Sequence, residues 1–321
     1  MILRGKNIMI TGGAGFIGSQ LVDRVIKENP EKIVVLDNFF LGTEENLQPA
    51  KNAFPNLKVY RLDAADFNAM HTVVTDESID VVFNLATIPL PTSLKFPAWT
   101  MRVINEIGLS FCELARIGAI KKLVHCSSSE AYGTAQYVPM DEKHPKKPAT
   151  PYAASKDAQD TMVGSYLRTF DIDAVVVRPF NNFGPRQNLG SYAGIIPIVV
   201  RNVVTGKPIE IFGDGEQTRD YIFVRNTADA IVKIAESENT RGYEINVATG
   251  NEISINELVN RLIHIMHVPN YPIIHVDPRP GDVRRHCGDV KLAQELIGYV
   301  ASPITDDQLD ETVAWYIGKL K

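Results

Sequence analysis

Thr11-Gly12-Gly13-Ala14-Gly15-Phe16-Ile17-Gly18 follows an apolar run at 7–10 and opens an amphipathic stretch at 17–28. Glycines at 12, 15 and 18 allow a tight turn, close approach of backbone to a pyrophosphate and close helix-on-strand packing. The helix that follows offers unpaired N–H groups and a positive dipole end to the phosphates. Three glycines alone fit any glycine-rich turn; their position between a first strand and a first helix is what points to a dinucleotide. Asp37 ends the second apolar run, where a carboxylate accepts hydrogen bonds from a ribose diol. Asn38-Phe39-Phe40 brings no arginine for a 2′-phosphate, so NAD is favoured over NADP. The expected cofactor contacts are Gly12, Gly15, Phe16, Ile17, Gly18, Asp37 and Asn38.

Outward from this turn, runs rich in Val, Ile and Leu at 7–10, 32–37, 57–63, 80–86, 121–127 and 172–178 read as buried strands. Amphipathic segments at 17–28, 98–117 and 154–170 read as the helices between them. Such alternation implies an α/β fold whose parallel sheet is covered on both faces. A β/α barrel has the same alternation; the glycine turn favours the open, doubly wound Rossmann sheet. Asp63 and Ala64 end the third strand and Leu85-Ala86-Thr87 the fourth, all beside the expected cofactor. Asp63 either reaches the adenine or caps the next turn.

Past Pro179 glycine and proline become frequent, strands shorten (208–212, 243–247, 273–276) and helices are expected at 194–205, 228–236, 255–266 and 306–320. This gives a Rossmann domain at 1–178 and a smaller mixed α/β lobe at 179–321, with a cleft between them and some segments returning to the first domain.

The net charge of −5 carries no basic excess for nucleic acid, and the 45% hydrophobic content is enough to fill a sizeable core. No apolar run approaches the roughly 18 residues that span a bilayer. The N-terminus runs straight into a strand and does not read as a signal peptide. Cys112, Cys126 and Cys287 are odd in number and lack CxxC spacing, so a reduced, cytoplasmic protein without disulfides is expected. His264 and His267 have no third ligand at sensible spacing, and no metal is expected. Lys143-His144-Pro145-Lys146-Lys147 reads as a solvated charged loop.

Tyr152 and Lys156 stand as Tyr-x-x-x-Lys at the start of the helix after the fifth strand. Spacing of four puts both on one face. An ammonium beside a phenol favours the phenolate, which then accepts a proton from a sugar hydroxyl. The spacing also occurs by chance on helix surfaces; its position in a chain with a dinucleotide turn gives it weight. Strand five ends in Ser127-Ser128-Ser129-Glu130-Ala131-Tyr132-Gly133. Strand ends line the ligand crevice in this architecture, so Ser128, Ser129 and Glu130 face the reacting group. A serine run also caps helices, but a carboxylate there is unusual for a purely structural turn.

With Ser128–Gly133, Tyr152-Ala-Ala-Ser-Lys156, Arg178-Pro-Phe-Asn-Asn-Phe-Gly-Pro-Arg186 and Gly213-Asp-Gly-Glu-Gln-Thr-Arg219 added to the glycine turn, the chain resembles an extended short-chain dehydrogenase/reductase. The resemblance is to the NAD-dependent nucleotide-sugar epimerase/dehydratase group. It implies that Ser128 hydrogen-bonds the sugar C4 hydroxyl and Asn181 contacts the sugar or its phosphate. It further implies that Arg219 and Arg279 hold the diphosphate and nucleoside, that Asn105 supports the active-site strands, and that helices 98–117 and 154–170 form a homodimer interface. A guanidinium fork suits a diphosphate on physical grounds as well.

Oxidation at C4 is common to the group, and the resemblance makes Glu130 the base that removes the C5 proton in a 4,6-dehydratase. Simple 4-epimerases usually carry an uncharged residue there. Many dehydratases have Asp-Glu where this chain has Ser129-Glu130; GDP-mannose dehydratases and UDP-glucuronate decarboxylases show Ser-Glu. The expected activity is a nucleotide-sugar 4,6-dehydratase with internal hydride recycling, the alternatives being a 4-epimerase and then a UDP-glucuronate decarboxylase. A redox sensor built on the same fold would have lost Tyr152 or Lys156. A plain dehydrogenase, which releases reduced cofactor at each turnover, shares the same residues.

Overall fold

The structure, a computed structural model, describes residues 1–190, 194–278, 282–300 and 302–320. The first half runs β1 (Asn7–Thr11), α1 (Phe16–Ile26), β2 (Lys32–Asp37), α2 (Glu44–Ala53), β3 (Leu57–Arg61), α3 (Phe67–Asp76), β4 (Val81–Asn84), α4 (Leu90–Lys95), α5 (Pro97–Arg116), β5 (Lys122–Cys126), α6 (Pro151–Phe170) and β6 (Ala174–Pro179). The second half runs β7 (Asn181–Phe183), α7 (Ile195–Val204), β8 (Ile209–Phe212), β9 (Thr218–Arg219), β10 (Tyr221–Phe223), α8 (Val224–Glu236), β11 (Glu244–Val247), β12 (Ile253–Ser254), α9 (Ile255–Ile265), β13 (Ile273–Val276), α10 (Lys291–Ile297) and α11 (Asp306–Leu320).

Seven strands form one parallel sheet in the order β11-β6-β5-β4-β1-β2-β3. Side chains alternate across it, as the two-residue strand period requires. Ile8, Ile10, Ile33 and Val35 pack beneath Leu21, Val22 and Val25 of α1 and Ile231 and Ile234 of α8. Met9, Val34, Val82 and Leu123 face the other way, toward Val73 and Val74 of α3 and Ile104, Ile107 and Phe111 of α5. β4 and β5 are buried throughout, whereas β3, at the sheet edge, is half-buried. The sheet is therefore the open, doubly wound Rossmann form rather than a barrel. Strand order reverses between β1 and β4, and the crevice at their carboxyl ends is where such sheets take ligands.

The strand expected at 243–247 in the smaller lobe is β11, which hydrogen-bonds β6 as an edge of the main sheet. Its Ile245 and Val247 are buried there. A separate core gathers Phe183 of β7, Ile196, Val199 and Val200 of α7, Ile209 and Ile211 of β8, Leu258 and Leu262 of α9, and Leu309 and Val313 of α11. Helices α2, α3 and α4 were not singled out from the sequence. The first two are ten residues long and capped by Thr43 and Asp66, and α2 buries only Leu47 and Ala50, which leaves little apolar periodicity to read.

Candidate active site

At the switch point the Thr11 hydroxyl donates to Asn84 Oδ1 at 2.9 Å and accepts from the Leu85 and Ala86 amides at 3.1 and 3.2 Å. This ties the ends of β1 and β4 together. Gly12 has φ +65°, and a Cβ there would stand 3.1 Å from the Ala86 nitrogen. At Gly18 a Cβ would stand 2.1 Å from the Gly12 carbonyl oxygen, so helix and turn touch without a side chain between them. Gly15 caps α1 with no side-chain hydrogen bond, leaving the first-turn amides to a ligand. Gly18→Ala is expected to force α1 off the turn, costing about 1–3 kcal/mol of stability and most of the bound dinucleotide. Denaturant midpoint and cofactor content of the purified variant read this, and a fully loaded, equally stable variant would contradict it.

Asp37 Oδ2 accepts from the Ala14 amide at 2.9 Å and Oδ1 from the Phe39 amide at 2.8 Å. Burial raises its carboxyl above the usual range, and these two bonds partly offset that. Gly12, Gly15, Phe16, Ile17, Gly18, Asp37, Asn38, Asp63, Ala64, Leu85, Ala86 and Thr87 all line one cavity of about 470 Å³. Asp63 lies two residues past the end of β3; it caps the next turn by accepting from the Ala65 amide at 3.0 Å, and it also lines the cavity. Uncapped helix amides at one wall and a buried carboxylate at the next strand end are the donor and acceptor set that a dinucleotide needs. Arg61, the strand neighbour of Asp37 in the β2–β3 register, turns its guanidinium over the Phe39 ring at 4.9 Å and does not line the cavity.

The same cavity continues to Ser128, Ser129, Glu130, Tyr152, Lys156 and Asn181. Pro151 begins α6 and the Thr150 side chain caps it by accepting from Ala153 N, which puts Tyr152 in the first turn and Lys156 one turn below. Lys156 Nζ donates to the Cys126 carbonyl at 3.0 Å and to Gln159 Oε1 at 3.2 Å. The expected lowering of the phenol is not what this structure shows. Burial pushes Tyr152 well above the usual tyrosine range, Ser128 opposes it by hydrogen bonding, and Cys126, Glu130 and Asp160 add to the rise. The ammonium meanwhile spends two of its donors on Cys126 and Gln159. Ser128 also caps the turn that carries Glu130, accepting from the Glu130 amide at 3.2 Å. Burial raises the Glu130 carboxyl; Arg219 pulls it down and Asp282 up.

A second cavity of about 190 Å³, lined by Phe212, Gln217, Arg219, Tyr221 and Asp282, shares Asn181, Asn182 and Gln187 with the first. Arg219 donates to the Thr218 carbonyl at 2.8 Å and to Asp282 at 2.5 Å. Arg279, the other arginine expected here, lies outside the described residues. Asn105 lines neither cavity, and its buried Oδ1 has no partner among the described residues; Gln159, beside Lys156, is a side chain that does link α6 to α5, as Tyr166 does further along through Glu113.

The 143–147 segment is solvated only in part: Lys143, Pro145 and Lys147 are exposed, whereas the other two residues are held by the fold. His144 is buried, accepting from the Gln136 amide at 2.9 Å, and Lys146 pairs with Asp157, Asp160 and Glu244. Asp160 and Glu244 also hold the fully buried Arg178, which donates to the Tyr132 hydroxyl at 2.6 Å. Sequence reading did not assign Asn182, Gln187, Phe180 or the Phe40-Leu41-Gly42 wall of the cavity. Asn182 and Phe180 lie within the quoted 178–186 motif, the one signal available for them.

The fold and this site define a dinucleotide-binding enzyme class with a Tyr-Lys pair over the cofactor crevice. Residues 8–248 match the model of the NAD dependent epimerase/dehydratase family, and the chain belongs to that family, with NAD as its cofactor. It is 34% identical to a UDP-glucose 4-epimerase of Mycolicibacterium smegmatis, over 97% of this chain and 98% of that one. Among solved structures it resembles a UDP-N-acetylglucosamine 4-epimerase from Methanobrevibacter ruminantium (TM-score 0.89, 33% identity, 98% and 99% coverage). It likewise resembles a dTDP-glucose 4,6-dehydratase from Streptomyces venezuelae with NAD bound (TM-score 0.91, 25% identity, 97% of each chain).

Proposed function

We propose that the protein is an NAD-dependent nucleotide-sugar 4,6-dehydratase. The observation that carries the reading is Glu130: a carboxyl raised by burial, lining the cavity that also holds Tyr152 and Lys156. Bound NAD supplies the acceptor and donor of two electrons, taken from C4 and returned to C6. Tyr152 takes the O4 proton, with Ser128 hydrogen-bonded to the same hydroxyl and Lys156 offsetting the phenolate charge. Glu130 removes the C5 proton of the 4-keto sugar and gives it to the departing C6 hydroxyl, so one water leaves; the proton that Tyr152 took from O4 is returned to C5 as hydride reaches C6, which restores the phenolate. A carboxyl held above its usual range suits both halves of that exchange. Asn181, at the junction of the two cavities, contacts the sugar, and Arg219 holds the diphosphate with the nucleoside in the second cavity.

Two copies of α5 and α6 pair as a homodimer, a reading supported by the exposed Trp99, Met101, Leu109 and Phe170 on these helices. No described helix is long and apolar enough to cross a membrane. Three buried cysteines without disulfides suit a reducing cytoplasm.

The second reading is a UDP-sugar 4-epimerase. It is favoured by the uncharged Ser129 beside Glu130, which provides no separate acid for the C6 hydroxyl, and by the similarity to epimerases. The purified protein, with no NAD added, is incubated with UDP-glucose, UDP-N-acetylglucosamine, UDP-glucuronate, GDP-mannose and dTDP-glucose, and products are read by mass spectrometry and NMR. Loss of one water is expected, and Glu130→Gln is expected to slow it about 100- to 1,000-fold. An inverted C4 with unchanged mass, insensitive to Glu130→Gln, decides for the epimerase.

A further inference from the structure

We infer that Gln159 is a positioning residue for Lys156: its side-chain amide, anchored on α5, fixes the direction of the ammonium. The inference rests on the reading that Lys156 serves the reaction. Gln159 is fully buried, with Nε2 donating to the Ile104 carbonyl at 2.5 Å and Oε1 accepting from Lys156 Nζ at 3.2 Å. Because Ile104 offers only an acceptor, the nitrogen must face α5 and the oxygen must face the lysine. An ammonium has three donors. The Cys126 carbonyl, at 3.0 Å, and Gln159 take two, leaving one for the cavity that Lys156 lines.

The fold makes room for this amide. Gly108 of α5 lies against it, and a Cβ there would stand 2.8 Å from Gln159 Nε2. An apolar side chain would fill the notch equally well but would give the buried ammonium one acceptor fewer, and burial already disfavours the charged form. The charged and titratable groups around Lys156 are His125 and Cys126 on β5, Tyr152 and Asp160 on α6, Glu130 on the adjoining turn and Arg178 on β6. None of these donates to or accepts from Nζ through its side chain among the described residues, so the orienting acceptors are the Cys126 carbonyl and Gln159.

The test uses the full-length, NAD-loaded protein with ¹³C-labelled lysine. Gln159→Met, Gln159→Glu and Lys156→Met are compared for kcat and KM on the nucleotide sugar turned over. The Lys156 resonance, identified by its loss in Lys156→Met, is titrated with pH. Gln159→Met is expected to release the Lys156 proton at lower pH than the parent and to lower kcat about tenfold, with KM within about twofold. Gln159→Glu, which keeps the acceptor for Lys156 and adds a negative charge but loses the donor that anchors the side chain on the Ile104 carbonyl, is expected to move the titration upward and to restore kcat only in part. If Gln159→Met matches the parent in both titration and kcat, Gln159 only fills space and the inference is overturned. Should that variant not fold, Gln159→Glu decides alone: an unmoved titration overturns it. Full activity in Lys156→Met would instead sink the reading of the lysine itself, which the titration of the other two variants reports separately.

Discussion

Tyr152→Phe is expected to lower turnover about 1,000- to 10,000-fold while leaving nucleotide-sugar affinity close to that of the parent. The substitution removes one oxygen and keeps the ring, the cap at Thr150 and the first turn of α6. Every reaction open to this site begins with loss of the O4 proton, so dehydratase and epimerase readings share the consequence. Ser128 stays beside the vacated position and Lys156 keeps its bonds to Cys126 and Gln159, so the loss measures the phenol and not a collapsed site. Burial raises the Tyr152 phenol, and a base must be deprotonated to act. In the parent kcat/KM should therefore climb with pH through neutrality, and the residual rate of Tyr152→Phe should lack that climb. Calorimetry with UDP, single-turnover rates and a pH profile read the three parts. A variant within tenfold of the parent would hand the role to another group, with Glu130 the first to try.

What could be read from the chain beforehand follows from how each feature is encoded. Gly12 and Gly18 are legible because a left-handed turn hard against the β4 backbone, with a Cβ 3.1 Å from the Ala86 nitrogen, favours glycine at 12, and a Cβ at 18 would stand 2.1 Å from a carbonyl oxygen. Tyr152 and Lys156 are legible because one turn of helix converts spacing into adjacency, and Asp37 because a strand end fixes its position. The direction of the Tyr152 shift was not legible, since burial is a property of the assembled cavity. Lys146 and His144 read as solvated because their partners lie in distant segments: Asp160 and Glu244 for the first, the Gln136 amide for the second. Gln159 sat unmarked among the residues of α6 for the same reason, because its meaning depends on a carbonyl of α5. β11 looked like one more short strand after the glycine-rich stretch, and only pairing with β6 assigns it to the main sheet.

Asp160→Asn is expected to destabilise the fold by about 3–5 kcal/mol, the range for leaving one partner of a buried ion pair uncompensated. Arg178 and Asp160 are both buried and stand 2.5 Å apart, and the other carboxylate on Arg178, Glu244, is about a third exposed. Asparagine preserves the shape and removes the charge, so the guanidinium remains in a low-dielectric interior with one weakened neighbour. Because Arg178 also donates to Tyr132, whose hydroxyl donates on to Asn246, the damage reaches the turn that carries Glu130. The double variant Asp160→Leu with Arg178→Met removes both charges, and is expected to be more stable than Asp160→Asn, since a filled apolar core tolerates the loss of a pair better than the loss of one partner. Urea unfolding of the three proteins measures this, and a cost below about 1 kcal/mol for Asp160→Asn would mean that Glu244 and Lys146 rearrange to satisfy the arginine. The double variant should nevertheless be slow even where it is stable, because Tyr132 loses the donor at 2.6 Å that fixes its hydroxyl, and Glu130, two residues earlier, loses its alignment with Tyr152. Stability recovered without activity is thus the outcome that separates the charge pair's contribution to the fold from its hold on the catalytic turn.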